Sequence, residues 1–421
     1  MMLRRIHIEN FRAYKQFDCE FAEGVNLVIG DNGTGKTSLL AAIAQLFSAQ
    51  TYKLCGNLGI EAVDPHIEIE RVGDVTQSIK ECFPIVISGE VTFEDEINYD
   101  FGVIHVDYGN RRNNGHFDML KNLTDQEGAT WPLISFQRFD RDWKLGKSIG
   151  NNTVSIETGL NERRDGYRDC LKGNGQEDSI QKWCLKMSML EFEKNKSIRE
   201  FEHFKHIIKT FLQSIEETEE DFDVSYSVEF SGLVMKKGNC LQPLYELSTG
   251  YKALLSMIME LAYRAVLLNP DADKNDDKQI GIVIIDEIDA HLHPKWQWRI
   301  IDALTKCFPM VQFIIATHSP IVISSAKNAR LINLEEIGRV SYSEGAYGFN
   351  VSDVLDLKQG SISMPKVSAV YMAELETALD DGNLVAADQV VLNAEKEFGT
   401  DSPVYMELRD YLDVNRWVEA D

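Results

Sequence analysis

The chain has 421 residues, 44% hydrophobic and 26% charged, the balance of a folded protein with room for one large core or several smaller ones. No apolar run reaches the about eighteen residues of a spanning helix, and MMLRRIHIENFRAY lacks an apolar stretch after its charges, so neither a membrane span nor a signal peptide is expected and the default location is cytoplasmic. A formal net charge of −24 weighs against strong autonomous binding of nucleic acid, so any such contact must come from a local patch, from a basic partner, or not at all.

In chain order, LRRIHIENF alternates apolar and polar residues and GVNLVIG is an apolar run stopped by glycine, which predicts two strands; a helix follows from Thr37. Between Thr51 and Asn152 the runs HIEIERV, FPIVISGEVTFE, FGVIHVDY and WPLISFQRF, separated by Gly, Asn and Asp, predict an antiparallel β lobe. The stretches YGNRRNNG and TGLNERRDG read as exposed, locally basic loops. From Glu177 to Glu220, Trp183, Met187, Leu190, Phe201, Phe204, Ile208 and Phe211 recur at helical spacing. This helical insertion reads either as a lid or partner platform or as a hairpin that completes the core.

A β-like run, VSYSVEF, then leads to a long helix starting near Ser248. After the acidic loop NPDADKNDDKQ come the strand GIVIIDE, a helix from Lys295 and the strands VQFIIATHS and ARLINL, an alternating βαβ tail. Beyond about Ser341 the pattern is two amphipathic helices joined by Asp-Gly-Asn, with a third from Val404. The expected division is 1–176, 177–222, 223–340 and 341–421. The seven cysteines form no CxxC pair, as suits reduced thiols.

Chemistry concentrates in four places. GDNGTGKTS, Gly30 to Ser38, follows a strand and opens a helix, the context a phosphate-binding loop requires. Glycines at Gly30, Gly33 and Gly35 let successive backbone N–H groups converge on phosphate oxygens; Lys36 would pair with the β- and γ-phosphates and the Thr37 hydroxyl would ligate Mg²⁺. Asn32, Thr34 and Ser38 complete the expected ATP contacts. GIVIIDE is a buried run ending in two acids, at the strand end where α/β sheets bind ligands. Asp286 would hold Mg²⁺ through water and Glu287 would orient or deprotonate the attacking water. LSTG places Ser248, Thr249 and Gly250 at a helix N-terminus, and FIIATHSP ends a strand at His318. The crowded DEIDAHLHP also admits a metal site of Asp286, Asp289, His291 and His293, as in a metal-dependent nuclease.

The order NFR, GDNGTGKT, LSTG, IIDEIDAHLHP and FIIATHSP resembles the RecF, SMC and Rad50 branch of ABC ATPases. The form DEIDxHLHPxWQ…FPxxQFIxxTHSP is similar to the compact bacterial group that forms the ATPase half of anti-phage systems such as Septu and some retrons. The resemblance covers roughly residues 1 to 50 and 240 to 335. It implies an α/β fold: a P-loop ABC-type ATPase head with a mixed sheet, an antiparallel β lobe, a helical insertion and a small C-terminal helical appendix.

Carried over residue by residue, Arg12 would approach the nucleotide phosphates, while Ser248 and Gly250 would contact the nucleotide held by a second copy. His318 would be the switch histidine, and Gln137 in LISFQRF is the candidate Q-loop ligand to Mg²⁺. The chain departs from the pattern at Thr249 and Tyr251, where Gly and Gln are usual, and at His293, where many ABC proteins have aspartate; slow turnover is the implication.

ATP and Mg²⁺ are the implied cofactors. The implied partners are a second copy in a head-to-head dimer, with higher oligomers possible, and a separate effector nuclease, HNH-type favoured. After His318 there is no Asp-x-Asp of the kind a fused Toprim nuclease needs. A RecF-like accessory of DNA repair is the alternative.

Overall fold

The computed structural model describes residues 1–55, 64–72, 75–94, 99–109, 112–113, 120, 124, 126, 128–138, 163–173, 176–272, 278–357, 366–400 and 402–418. It divides the chain into two units, Met1–Phe349 and Asn350–Asp421.

The first unit begins with β1 (Met2–Phe11), β2 (Tyr14–Glu20), β3 (Val25–Gly30) and α1 (Lys36–Cys55). Next come β4 (His66–Val72), β5 (Val75–Cys82), β6 (Val86–Glu94), β7 (Tyr99–Gly109), the short β8 (Arg112–Asn113) and β9 (Leu133–Arg138). Helices α2 (Glu177–Lys194) and α3 (Arg199–Glu216) precede a small sheet of β10 (Phe222–Ser227), β11 (Gly232–Lys237) and β12 (Cys240–Pro243). The remainder is α4 (Thr249–Leu268), β13 (Gly281–Asp286), α5 (Pro294–Gln297), α6 (Ile300–Cys307), β14 (Val311–Ala316), α7 (Pro320–Ser325), β15 (Arg330–Glu336) and β16 (Arg339–Glu344).

The central sheet has the order β16-β15-β3-β14-β13-β9 and is parallel except for the edge strand β16. Every residue of β13 and β14 is buried, as is every residue of β3 before its final glycine. Near-continuous apolar runs of this kind are required when both faces of a sheet are covered. The register sets Ile314 beside Ile284 and Ile315 beside Leu27, so the chain leaves β3, β14 and β13 at one edge of the sheet. That edge is where α/β folds collect ligands.

One strand belongs elsewhere than the sequence reading put it. LISFQR, expected in the antiparallel lobe, is β9, the parallel edge strand that pairs with β13 from Leu133↔Gly281 to Arg138↔Asp286. Its first five residues are buried without alternation, the burial of a main-sheet strand. The other predicted runs do form antiparallel structure: β2-β1-β6-β7-β8 is a second sheet, and β4 pairs with β5, a strand the sequence reading missed. Helix α1 contacts strands of both sheets.

Of the two readings of the helical insertion, the packing supports completion of the core. Helix α3 buries Phe201, Phe204, Ile208, Phe211 and Ile215 against α4 and α6. Trp183 of α2 meets Phe201, Phe204 and Tyr263 edge to face, with ring centroids 5.7, 5.1 and 5.4 Å apart. On α4, Arg264 is fully buried. It donates to Glu260 Oε1 at 2.8 Å and to the carbonyls of Gly166 and Arg168 at 2.8 and 2.9 Å, holding the 163–173 segment on the helix.

That segment corrects a second expectation at Arg163, while Arg164 is exposed as expected. The RRDG of the supposed basic loop is a 3-10 turn, in which Arg163 donates to Leu268 O, Ala129 O and Asn269 Oδ1 and stacks on Trp131 at 4.3 Å. Its charge is consumed by carbonyls at the end of α4 rather than offered to solvent. Residues 158–162 and half of YGNRRNNG lie outside the described residues.

In the second unit, α8 (Val351–Leu357) precedes α9 (Lys366–Asp380), α10 (Leu384–Phe398) and α11 (Pro403–Val418). The last three bury Leu375, Ala378, Ala387, Val391, Ala394, Tyr405, Leu408 and Leu412 in a core of their own. Asn383 caps α10 by accepting from the Ala386 N–H at 3.1 Å, which ends the Asp-Gly-Asn turn.

Candidate functional site

The loop between β3 and α1 is wound around its own lysine. Lys36 Nζ donates to the carbonyls of Gly30 and Asp31 at 2.8 and 2.7 Å, and Thr34 Oγ1 donates to Asp31 O at 2.9 Å. Gly35 has φ +106°, and a Cβ there would fall 2.5 Å from Tyr14 Oη, so only glycine fits. Burial holds the Lys36 ammonium below its ordinary pKa, against the opposing pull of Asp286, Asp31, Glu287 and Asp289. A phosphate group at this lysine would supply the compensating charge.

The loop forms one wall of a cavity of about 210 Å³. Asn32, Gly33, Gly35, Lys36, Thr37 and Ser38 line it on the loop side, with Ala13 beside them. Asp286 and Glu287 contribute from the end of β13, and Ala316, Thr317 and His318 from the end of β14. Three of these segments meet because three neighbouring parallel strands end together, and Ala13 joins them from the β1–β2 turn of the antiparallel sheet. Asp286 is buried, while Glu287 is exposed with φ +55°, a left-handed backbone that turns the chain away from the strand. Burial and the nearby Lys36 lower the His318 pKa, although Asp289, Glu287 and Asp31 pull the other way.

The residues present suit a nucleotide triphosphate with Mg²⁺. A glycine-walled loop at a helix N-terminus, a desolvated lysine, a hydroxyl at Thr37 and a buried carboxylate at Asp286 surround one space, the donor set that phosphates and a hard cation require.

Other predicted residues lie outside the cavity lining. The Arg12 guanidinium pairs with Asp64 at 3.2 Å, and the Arg12 N–H donates to Asp64 O at 3.1 Å. Gln137 is fully buried beside Ile285 in register, and its Nε2 donates to Ser135 Oγ at 2.7 Å. Ser248 caps α4, its Oγ accepting from the Tyr251 N–H at 3.4 Å, and Thr249 is exposed. Gly250 is buried against the loop after β13: a Cβ there would lie 2.4 Å from His291 O. The unusual Tyr251 donates to Glu216 Oε1 at 2.6 Å and meets the Trp296 ring edge to face at 5.5 Å, tying the start of α4 to the end of α3.

The residues of the alternative metal site do not converge. Asp289 Oδ1 accepts from Thr317 Oγ1 at 2.5 Å, His291 is exposed, and His293 Nδ1 accepts from the Lys295 N–H at 3.2 Å as the cap of α5. Among the described residues no group of three or more His, Cys, Asp or Glu side chains is arranged to hold a metal ion. Sequence reasoning missed Ala13, Tyr14 and Thr317. Thr317 adjoins His318 and could have been noted, but the approach of Tyr14 to Gly35 depends on strand packing that no local pattern encodes.

The chain is 24% identical to "Retron Vc95 probable ATPase" of Vibrio cholerae serotype O1 biovar El Tor, over 86% of this chain and 79% of the relative. It is 23% identical to "Septu protein PtuA" of Bacillus thuringiensis, over 91% and 90% of the two chains. Among solved structures it is similar to an SMC head bound to the C-winged helix domain of ScpA, with TM-score 0.49 and 17% identity over 82% of this chain and 98% of that one. The family described as "AAA domain, putative AbiEii toxin, Type IV TA system" matches residues 25–324, and the chain belongs to that family.

Proposed function

We propose that this chain is a Mg²⁺-dependent ATPase of an anti-phage system, in which two copies clasp ATP between them and the nucleotide state controls a separate effector nuclease. The observation that carries the reading is the single cavity bounded by the glycine loop with Lys36 on one side and by Asp286, Glu287 and His318 on the other. Lys36 would neutralise the β- and γ-phosphates, Thr37 and Asp286 would hold the cation, Glu287 would take the proton of the attacking water and His318 would face the γ-phosphate. Mg²⁺ would offset the phosphate charge.

The dimer is supported by the position of Ser248 and Thr249. They are exposed at the start of α4 and line no part of the cavity in their own chain, so a second copy is needed to use them. The retron and Septu names of the relatives support the anti-phage role; the separate effector, an HNH-type nuclease by the sequence resemblance, and a cytoplasmic setting belong to the same proposal. No helix among the described residues is long and apolar enough to cross a membrane.

The test is ATP hydrolysis and native mass of three proteins. Wild type should hydrolyse ATP, Glu287→Gln should retain ATP and accumulate as a dimer, and Lys36→Ala should bind no nucleotide. Nuclease activity of the purified chain that survives Lys36→Ala would sink the reading in favour of the metal-dependent nuclease.

A further inference from the structure

The loop that follows Glu287 and the loop that carries His318 are cross-linked by side chains. Asp289 Oδ1 accepts from Thr317 Oγ1 at 2.5 Å and from the His318 N–H at 3.3 Å. The buried Thr317 hydroxyl in turn accepts from the Ser319 N–H at 3.0 Å. A second strut runs alongside: Gln297 Nε2 donates to the carbonyls of Leu292 and Asp289 at 3.0 and 3.4 Å, while Ser319 Oγ donates to Gln297 Oε1 at 2.7 Å. Sequence reading offered Asp289 as a metal ligand; in the fold its carboxylate turns toward the neighbouring strand end, onto Thr317 and His318.

We propose that Asp289 is a positioning residue for ATP hydrolysis, working with Thr317: its carboxylate fixes the β14 exit so that His318 and Glu287 keep one geometry across the phosphate cavity. The inference rests on the ATPase reading of this site but needs no second copy. The physical reason is that Glu287 stands on an exposed, left-handed turn and His318 on a separate strand exit, so the bonds within each loop do not hold one to the other. The Ile288 N–H to Ala316 O bond, at 3.3 Å, also crosses between them, and Asp289 adds a side-chain link to Thr317 and His318, which line the cavity. Lys36 and its loop are held by their own carbonyls, so nucleotide capture does not depend on this link.

The test is steady-state ATP hydrolysis and equilibrium ATP binding for Asp289→Ala, Asp289→Asn, Thr317→Val and Thr317→Ser. A misplacement of about 1 Å at a reacting group costs on the order of a hundredfold in rate, so Asp289→Ala and Thr317→Val should lose roughly ten- to a hundredfold in kcat, with ATP affinity close to wild type in Asp289→Ala, whose side chain lies outside the cavity lining. Asp289→Asn keeps an acceptor oxygen and Thr317→Ser keeps the hydroxyl, so both should recover most of the rate. Combined, Asp289→Ala and Thr317→Val should lose no more than either alone. An indifferent kcat in Asp289→Ala, or Asp289→Asn as slow as Asp289→Ala, overturns the proposal. If Asp289→Ala does not fold, the Thr317 pair decides in the same way. Wild type lacking Glu287-dependent turnover defeats the site reading itself, whereas wild-type turnover with indifferent Asp289 and Thr317 variants defeats only this inference.

Discussion

Tyr14, the first residue of β2, donates a 3.0 Å hydrogen bond to the Gly35 carbonyl and fills the volume that a Gly35 side chain would occupy. The antiparallel sheet is thereby pressed onto the loop that wraps Lys36. Gly35→Ala would add a Cβ within 2.5 Å of Tyr14 Oη at φ +106°, so it should lose ATP binding and lower the melting temperature. Strained backbone of this kind costs about 1–3 kcal/mol. Tyr14→Phe keeps the ring and should cost only about 1 kcal/mol, with nucleotide affinity largely retained.

The ion pair of Glu260 and Arg264 is fully buried on α4, at 2.8 Å. Arg264→Met leaves a buried carboxylate and two carbonyls without their donor, and breaking such a pair costs about 3–5 kcal/mol. A fall in unfolding free energy of that size, read from urea denaturation as a lower midpoint, is expected. Because an orphaned charge is worse than none, the double variant Glu260→Met with Arg264→Met should be more stable than Arg264→Met alone.

Tyr251 stands where the resembling family has glutamine, and its contacts supply a reason. Tyr251→Phe removes the bond to Glu216 and should cost about 0.5–1.5 kcal/mol in denaturant unfolding. Tyr251→Gln also loses the edge contact with Trp296 and should cost more. Equal stability of the two variants would show that the ring contact contributes nothing.

Burial and Lys36 hold the His318 imidazole below its ordinary 6.5, so as pH falls the unfolded chain takes up that proton before the folded one does. Stability contributed by neutral His318 is present above 6.5 and declines below it. His318→Asn should therefore show a shallower fall in melting temperature than wild type between about pH 7 and about pH 5. Parallel curves would mean that His318 titrates alike in both states.

Strand chemistry and loop chemistry were readable because their causes are local. GDNGTGKTS wraps Lys36 with its own backbone carbonyls, and the apolar runs of β13 and β14 must be buried on both faces, so residues within a short window carry the whole signal. The same holds for α9 to α11, whose helical periodicity and Asp-Gly-Asn break lie in sequence. Pairing partners are different. LISFQR reads equally well as lobe or main sheet until Leu133 is set beside Gly281.

The sequence by itself therefore determined the glycine-rich turn between strand and helix, the acidic strand end and the existence of a helical insertion. Tertiary structure alone decided that Arg163 caps α4 rather than facing solvent, that Tyr14 braces Gly35 and that Asp289 turns toward Thr317. These choices depend on which backbone carbonyls and hydroxyls distant segments bring within hydrogen-bond reach, and a buried polar group must take the partner that packing provides.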